Sequence, residues 1–486
     1  MSNESRTFGG AGGIRAMAAR WVITGQMTLA TATHLGGEAG GVVDMAVLRD
    51  PKDGRPLLPG TSLAGALRGH LADVLGGYRS EEHRDVPVLF GAARSDDEGS
   101  QSPLIVFDSL GVTPDNQPVE IRDGVAIDSA TGTAEAHKKF DFELLPAGTL
   151  FPVRLELVVP DAASEPKLLG LLAIILEGLR EGEISLGMRR SRGMGAVETR
   201  KWRALRYDLT TPEGWLGWLT SDHENPVPDD IPFQESPRQA LQSAYPGLTP
   251  DTIRDQRKRI VIDLVLQLAG DLLVRSPAGD PTAPDAVHLQ SAGKPVLPGT
   301  SIAGALRAQA LRIARLVRTS RGDGDEWIAQ LFGPRFEKNR SSGSQEANAS
   351  RLRISESFIE NGVARRQTRI AIDRFTGGVV QGALFDEEVQ SGGDLSLRLE
   401  LRKPTEPEIG LLLLVLKDLL SGDIPVGGAA AVGRGILKGE GRIRMADGTK
   451  HDIAADLRVS EETKSFFNSL IQAFHEAAPL KSEVMA

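Results

Sequence analysis

Two ten-residue segments place a glycine and two hydroxyl side chains at the start of a helical pattern, a combination suited to phosphate. The segments, residues 59–68 and 298–307, differ only in having Leu63 or Ile302. The first amides of a helix have no partner within it, so a helix N-terminus attracts anions. The alternative is an ordinary helix start, with the hydroxyls as caps and the arginines in internal ion pairs. The candidate phosphate contacts are Thr61, Ser62, Arg68, Thr300, Ser301 and Arg307.

Two glycine-rich loops, residues 187–195 and 427–435, form a second phosphate-like feature. Consecutive glycines allow backbone amides to form an anion-binding concavity. The first loop adds three arginines, whereas the second has alanines and a valine at those positions. A tight helix-to-strand connection is the alternative, and it explains the glycines but not three clustered arginines. The candidate contacts in the loops are Arg189, Arg190, Arg192, Gly193, Gly433 and Arg434.

These features repeat because the chain contains two copies of one domain. The copies are about 240 residues apart, which is the size of a domain rather than of a solenoid repeat. Each copy has an alternating strand, an amphipathic helix, a strand, an excursion, a strand, a leucine-rich helix and a closing strand. This order predicts an α+β fold with two tandem ferredoxin-like domains. We place them at residues 18–209 and 258–459, with a linker at 210–257 and a C-terminal helix and tail at 460–486.

Composition limits the function classes. The chain has no cysteine, which excludes thiolate catalysis and disulfides and suits a reducing cytoplasm. Its apolar runs are too short to span a bilayer, and the start lacks the apolar core of a signal peptide, so we expect no membrane contact. The net charge of -9 does not exclude local basic grooves for nucleic acid. No Gly-Lys-Ser/Thr sequence follows the glycines, so P-loop nucleotide hydrolysis is not supported.

Taken together, the motifs resemble the RAMP superfamily of CRISPR-associated proteins. They are an Asp-containing Gly-rich loop before Pro-Gly-Thr-Ser-x-x-Gly-x-Leu-Arg, then Leu-Phe-Gly, Ile-Asp-x-x-Thr-Gly and, in the first copy, Gly-x-x-x-Ser-Arg-Gly-x-Gly. The closest resemblance is to the crRNA-binding backbone subunits of type III interference complexes. Two such domains in one chain look like the tandem-backbone subunit of type III-D systems.

The resemblance implies that each ferredoxin-like domain is an RRM-like palm with an inserted thumb-like hairpin that kinks a guide–target duplex. The thumbs are expected at about residues 126–145 and 371–389, after each Ile-Asp-x-x-Thr-Gly. Aromatic rings and basic groups at these positions suit base stacking and phosphate contact. A packed hairpin without RNA contact is the alternative. The candidate thumb contacts are His137, Lys138, Lys139, Phe140 and Phe385.

In RNA-cleaving relatives, an Asp between the first strand and the first helix is catalytic. Asp44 lies in the matching segment, and Asp285 lies in the shorter second loop. The resemblance therefore implies that Asp44 and Asp285 are the catalytic residues and the ligands of a divalent metal, with Mg²⁺ expected. A carboxylate of this kind can hold the cation or help to deprotonate a ribose 2′-hydroxyl. A surface Asp that caps a turn is the alternative for each.

We therefore expect a cytoplasmic subunit that binds crRNA, assembles with other effector-complex subunits and cleaves complementary target RNA at one or two sites. A purely structural guide-holding subunit, with one or both aspartates inert, is the main alternative. A pre-crRNA-processing endoribonuclease is the third hypothesis. It is disfavoured because it calls for a catalytic histidine, and no histidine recurs between the two copies.

Overall fold

The computed structural model describes residues 17–37, 43–79, 81–92, 100–114, 119–127, 133–248, 253–276, 283–317, 321–334 and 349–477. Within them, none of the helices combines the length and apolar character needed to cross a bilayer. The strands are β1 Ala19–Leu29, β2 Leu57–Leu58, β3 Leu104–Val106, β4 Ser109–Leu110, β5 Glu120–Ile127, β6 Ala134–Leu144, β7 Leu150–Val159, β8 Val197–Asp208, β9 Arg259–Leu268, β10 Asp271–Leu272, β11 Arg275–Ser276, β12 Ala286–His288, β13 Gln290–Ser291, β14 Lys294–Leu297, β15 Leu352–Ile354, β16 Ser357–Phe358, β17 Val363–Ile372, β18 Val379–Ser391, β19 Asp394–Arg402, β20 Leu437–Arg444 and β21 Lys450–Ile453. The helices are α1 Gly60–Gly76, α2 Val86–Phe90, α3 Glu165–Arg180, α4 Pro212–Leu219, α5 Pro237–Ala244, α6 Gly299–Val317, α7 Arg321–Phe332, α8 Glu406–Ser421 and α9 Glu461–Glu476.

The main sheet of the first domain has the antiparallel order β3-β7-β1-β8. Helices α1 and α3 follow its first and third strands, which gives the βαββαβ order of a ferredoxin-like fold. Side chains on one face of β1, including Trp21, Ile23 and Met27, are fully buried with both helices in one apolar core. The alternating pattern of β1 therefore positions the sheet under the helices, and the predicted α+β class is confirmed.

The second domain repeats this arrangement with the order β15-β19-β9-β20-β21. Helices α6 and α8 occupy the places of α1 and α3, and β21 adds an edge strand. Helix α9 packs on α8, where Gly410 lies so close to the Leu470 backbone that a Cβ would overlap it. The C-terminal helix is therefore part of the second core, through Leu470 and Phe474.

The helix starts differ from the caps expected from sequence. Helix α1 begins at Gly60 after Pro59, and neither Thr61 nor Ser62 caps it. Instead the Asp108 carboxylate accepts the Gly60 amide at 2.6 Å. A tertiary contact from the end of β3 has replaced the local cap, which leaves both hydroxyls exposed.

Each domain inserts a hairpin between its second and third sheet strands, as predicted, but the hairpins begin earlier than expected. Strands β5 and β6 form the first hairpin, and β17 and β18 form the second. The Ile-Asp-x-x-Thr-Gly motif lies at the hairpin tip rather than before the hairpin, because Asp373 accepts the amides of Phe375 and Thr376 to close the turn. The tip of the first hairpin, 128–132, lies outside the described residues.

The two domains meet where the first hairpin and the first glycine loop pack on the second domain. Arg122 of β5 and Glu356 form a buried ion pair, with Nη1 2.6 Å from Oε2 and both side chains less than 5% exposed. A Cβ on Gly193 would overlap the backbone of Glu356, and one on Gly299 would overlap the Arg192 carbonyl. Glycine is therefore required on both sides of this contact.

A second interdomain contact runs through the end of the linker. Glu183 of the first domain binds Arg257, with 2.8 Å between Oε2 and Nη2, and also binds Arg259. Arg402 of β19 lies 3.3 Å from the Asp73 carboxylate of α1. Charged groups from both domains and the linker thus share one network.

Replacing Arg122 with Ala should destabilise the protein by about 3–5 kcal/mol, because it leaves the Glu356 carboxylate buried without its partner. The double variant R122M/E356L should recover most of this loss, since neither charge then remains buried. Chemical denaturation at neutral pH measures both. Arg442→Ala, which breaks the exposed pair with Asp452, is the control and should cost much less stability than R122A, because exposed ion pairs contribute little. A similar cost for R122A and R442A would contradict the role given to the pair.

Candidate functional site

The two phosphate-like features of the first domain come together in one pocket. Ser62 and Gly65 of α1 line it on one side, and Gly187 and Arg190 of the first glycine loop line it on the other. The pocket has a volume of about 320 Å³. It joins the exposed Ser62 hydroxyl at the start of α1 with the exposed Arg190 guanidinium. A hydroxyl and a guanidinium can both donate hydrogen bonds to an anion.

The three arginines of the first glycine loop have three different surroundings. Arg189 stacks on Phe140 and Phe142, with its guanidinium carbon 4.8 Å from each ring centre, and burial lowers its pKa. Arg192 donates to the Phe332 carbonyl of the second domain at 3.0 Å. Only Arg190 is both exposed and turned towards the pocket. The three clustered arginines therefore have separate roles: Arg189 packs on aromatic rings, Arg192 contacts the second domain and Arg190 lines the pocket.

The predicted sharing of backbone shape between the loops is confirmed. Arg189 and Gly193 are left-handed, with φ of 55° and 86°, and flank a short 3-10 turn. Ala429 and Gly433 have φ of 61° and 80° in the same places. The loops therefore present backbone groups alike and differ only in their side chains.

Arg434 does not provide the second loop with an exposed charge. Its side chain is only 2% exposed, and it binds Glu387 at 2.8 Å and Gln367 at 2.7 Å. The expected RNA contact at Arg434 is therefore corrected to an internal ion pair at the base of the second hairpin. Gly433 has open space around it, whereas Gly193 abuts Glu356.

The helix arginines also bind within the protein. Arg68 forms two hydrogen bonds of 2.7 Å with the Glu82 carboxylate, and Arg307 donates to the Gly333 carbonyl at 3.0 Å. The phosphate contacts expected for Arg68 and Arg307 are therefore corrected to hydrogen bonds within the protein. Thr61 and Ser62 are exposed, whereas Thr300 and Ser301 are half-buried beside the domain contact.

Asp44 lies on an exposed loop that runs along the base of the first hairpin. Its neighbour Met45 pairs in parallel with Phe142 of β6. The Asp44 carboxylate accepts the amide of Asp141 at 3.0 Å, and the Asp141 carboxylate accepts the amide of Asp44 at 2.8 Å. The two residues therefore hold each other by reciprocal hydrogen bonds.

Asp285 occupies the equivalent place in the second domain. Its carboxylate accepts the amide of Asp386 at 2.9 Å, and Ala286 pairs in parallel with Glu387 as Met45 does with Phe142. The shorter loop and its missing glycines made this match weak in sequence. The geometry brings both aspartates to the same position at the base of their hairpins.

The charges around the two aspartates differ. Asp386 binds Arg366, with Oδ2 2.7 Å from Nε, and this bond lowers the pKa of the Asp386 carboxyl. In the first hairpin Asp123 lies directly across from Asp141, and Lys139 pairs with Asp123 at 2.9 Å. The described part of the chain brings together no three acidic or histidine side chains that could hold a metal ion. Mg²⁺ can nevertheless bind through one or two carboxylates completed by water and substrate phosphates, which Asp44 and Asp285 fit.

The hairpin side chains also separate into two kinds. Phe140 stacks on Phe142 with ring centres 5.8 Å apart, so it belongs to the base of the hairpin. Phe385 is 52% exposed and lies among other exposed apolar side chains of β17 and β18, as a base-stacking residue requires. The side chains of His137 and Lys138 lie outside the described part of the structure.

Sequence reasoning missed Asp141 and Asp386. The signal was present, because both copies have Phe-Asp at the same distance from the hairpin tip, at Phe140-Asp141 and Phe385-Asp386. Three of the histidines that the structure describes, His34, His70 and His288, are buried. His34 donates to the Glu143 carbonyl at 2.8 Å. These three residues therefore give a histidine-based processing site no support.

A family model described as the RAMP superfamily matches this chain twice, over residues 26–198 and 265–438. The chain is 30% identical over 210 residues to CRISPR system Cms endoribonuclease Csm3 of Streptococcus thermophilus, covering 38% of this chain and 91% of that protein. It is 35% identical over 102 residues to the protein of the same name from Mycobacterium tuberculosis (strain ATCC 25618 / H37Rv), covering 19% of this chain and 42% of that protein. Each family match falls in one of the two ferredoxin-like domains.

Acid should weaken the support of the second aspartate loop. Burial lowers the pKa of His288 from 6.5 to about 4, and its ring accepts the Val274 amide and donates to the Val296 carbonyl. The folded state thus favours neutral His288, so unfolding takes up a proton below pH 6.5. The free energy of unfolding should fall by about 3 kcal/mol as the pH drops from 6.5 to 4. Below pH 4 His288 should cause no further loss, because it is then protonated in both states.

Denaturation midpoints of wild type and His288→Gln across this pH window measure the effect. The variant should lose less stability between pH 6.5 and 4 than wild type does. His223→Gln, at an exposed histidine, should follow the wild-type curve. Parallel curves for wild type and H288Q would show that His288 does not carry this linkage.

Proposed function

Because this chain belongs to the RAMP superfamily, we propose that it is a crRNA-binding backbone subunit of a type III CRISPR interference complex, of the tandem kind found in type III-D. The observation that supports this most is the paired placement of Asp44 and Asp285. Each lies on the loop between the first strand and first helix of its domain, hydrogen-bonded to the base of the inserted hairpin. The chain therefore has two RNA-holding domains with one candidate cleavage centre each.

The guide is held through its backbone. In the first domain the pocket between Ser62 and Arg190 receives a phosphate, because an exposed hydroxyl and an exposed guanidinium act there together. Specificity comes from base pairing between guide and target, while the protein recognises the shape and the backbone of the duplex. The exposed apolar second hairpin, with Phe385, stacks against bases where the duplex is interrupted.

Cleavage is proposed at two positions of the target RNA. Asp44 and Asp285 each help to remove the proton of a ribose 2′-hydroxyl. The 2′-oxygen then bonds to the adjacent phosphorus as the bond from phosphorus to the 5′-oxygen breaks. The departing oxygen takes a proton from water, which leaves a 2′,3′-cyclic phosphate and a 5′-hydroxyl. Mg²⁺, held by these carboxylates together with an RNA phosphate, would offset the charge that develops on the phosphate oxygens. The relatives are named endoribonucleases, which supports RNase activity of this kind.

The proposed partners are crRNA, target RNA and other subunits of the effector complex, in the cytoplasm. The absence of cysteine suits that reducing compartment. The main alternative function is a guide-holding subunit without nuclease activity. It shares every RNA-holding feature with the proposal and differs only in the two aspartates, so it is decided by the same experiment.

Replacing Asp44 with Ala should abolish one target cut, and Asp285→Ala should abolish the other, because the two centres lie in separate domains. Loss of a catalytic base is expected to reduce each cut by about 10²-fold or more. The measurement is the cleavage pattern of end-labelled target RNA in the assembled complex. Asp447→Ala, on a distant turn, is the matched control. A structural subunit would show no cut that depends on either aspartate.

Replacing Arg190 with Ala should weaken guide binding severalfold and reduce the slope of log K against log salt by about 1, because one phosphate contact is lost. The second loop has Ala430 in this place, so Ala430→Arg is the reverse exchange and should raise both quantities. Filter binding of guide RNA across a salt series measures them. Unchanged affinity and slope in R190A would rule out the pocket as a phosphate site.

A further inference from the structure

We propose that Asp141 is a positioning residue for Asp44. The first site depends on the Asp141 carboxylate, whereas the second site does not depend on the Asp386 carboxylate. The inference rests on the proposed function for its catalytic meaning. It concerns how each aspartate is held, and it follows from hydrogen bonds that differ between two otherwise equivalent loops.

Two carboxylates of β6 help to fasten the first loop to the hairpin. The Asp141 carboxylate accepts the amide of Asp44, and the Glu143 carboxylate accepts the amide of Val47 at 3.0 Å. The backbone also holds this loop, because the Met45 carbonyl accepts the amide of Glu143 at 2.9 Å and Val47 pairs with Gly36 on the other side. Carboxylates from alternate positions of β6 therefore help to hold the segment that carries Asp44.

The second loop is fastened mainly by its backbone. Residues 286–288 form β12, which pairs with β18 on one side and with β11 on the other. The ring of His288 adds two bonds, to the amide of Val274 and the carbonyl of Val296. Asp285 is thus attached to a strand with partners on both sides.

The Asp386 carboxylate has a different task from that of Asp141. It binds Arg366 of β17 and lies 3.4 Å from the Thr368 hydroxyl. The corresponding first-domain residues are Ile121 and Asp123, so Asp141 has no arginine to bind there. Its carboxylate accepts the Asp44 amide instead. The backbone amides of Asp141 and Asp386 make equivalent contacts, since they donate to the carboxylates of Asp44 and Asp285.

Removing the Asp141 carboxylate should therefore free the Asp44 amide and let the loop shift, although the Asp44 carboxylate keeps the Asp141 amide. A displacement of this kind lowers the rate of the chemical step rather than the binding of target RNA, since small misplacements of a reacting group are costly. Removing the Asp386 carboxylate takes no bond from residues 283–287, the described part of the Asp285 loop. The same substitution should consequently have unequal effects at the two sites.

Hydrogen–deuterium exchange on the purified chain tests the positioning without any cleavage. In Asp141→Ala, the segment at residues 43–47 should exchange about fivefold faster, as loss of one hydrogen bond allows. Asp141→Asn keeps an acceptor oxygen and should exchange as wild type does. In Asp386→Ala, residues 283–287 should keep their wild-type rate. Equal exchange of 43–47 in wild type and D141A, or equal acceleration of both loops, overturns the inference.

Cleavage in the assembled complex then tests the catalytic consequence. At saturating target, D141A should lower the cut assigned to Asp44 about tenfold or more and leave the other cut unchanged, with target affinity as in wild type. D141N should restore that cut to within about threefold. An equal loss in D141A and D141N overturns the hydrogen-bond argument, and so does a loss shared by both cuts. If the wild-type complex makes neither cut, the proposed function fails, and the exchange experiment still decides whether Asp141 holds the loop.

Discussion

The buried ion pair between Arg122 and Glu356 fixes how the first hairpin is oriented against the second domain. It closes the base of the first hairpin onto the second domain, and beside it Gly193 lies against the Glu356 backbone. Separating a buried pair of this kind would leave an unpaired charge away from water, which is costly. The first hairpin and the first glycine loop are therefore held in one orientation, and the second domain is placed relative to them.

Because of this contact, the two glycine loops have different surroundings although their backbones are equivalent. The first glycine loop packs on the second domain and, of its three arginines, presents only Arg190 to the pocket. The second loop has the same backbone conformation but faces no further domain of this chain, and its exposed residues include Ala430 and Val432. The position of Arg122 is taken by Gln367, which binds Arg434 and Asp271 of its own domain. Duplication has thus preserved the backbone, while the side chains follow what each copy touches.

The sequence was sufficient for the fold but not for the contacts between its parts. Alternation in β1 and β9 and the leucine spacing of α3 and α8 predicted the sheets and helices, because local periodicity decides which face is buried. The prediction that Thr61 or Ser62 caps α1 was wrong, because Asp108, which is distant in sequence, accepts the Gly60 amide. Arg122 and Glu356 are 234 positions apart, and no local pattern joins them.

The same distinction explains why the site was only partly predictable. Motifs identified the segments that contain Asp44 and Asp285, but their equivalence lies in the parallel pairing of each loop with its hairpin. The residues that complete this pairing, Asp141 and Asp386, belong to the strand after the hairpin tip. A loop that leaves a sheet is held by whatever the adjacent strand offers it. In the first domain that is a pair of carboxylates, and in the second it is a strand with a buried histidine. Two copies of one fold can therefore keep one chemistry in the same place while supporting it by different means.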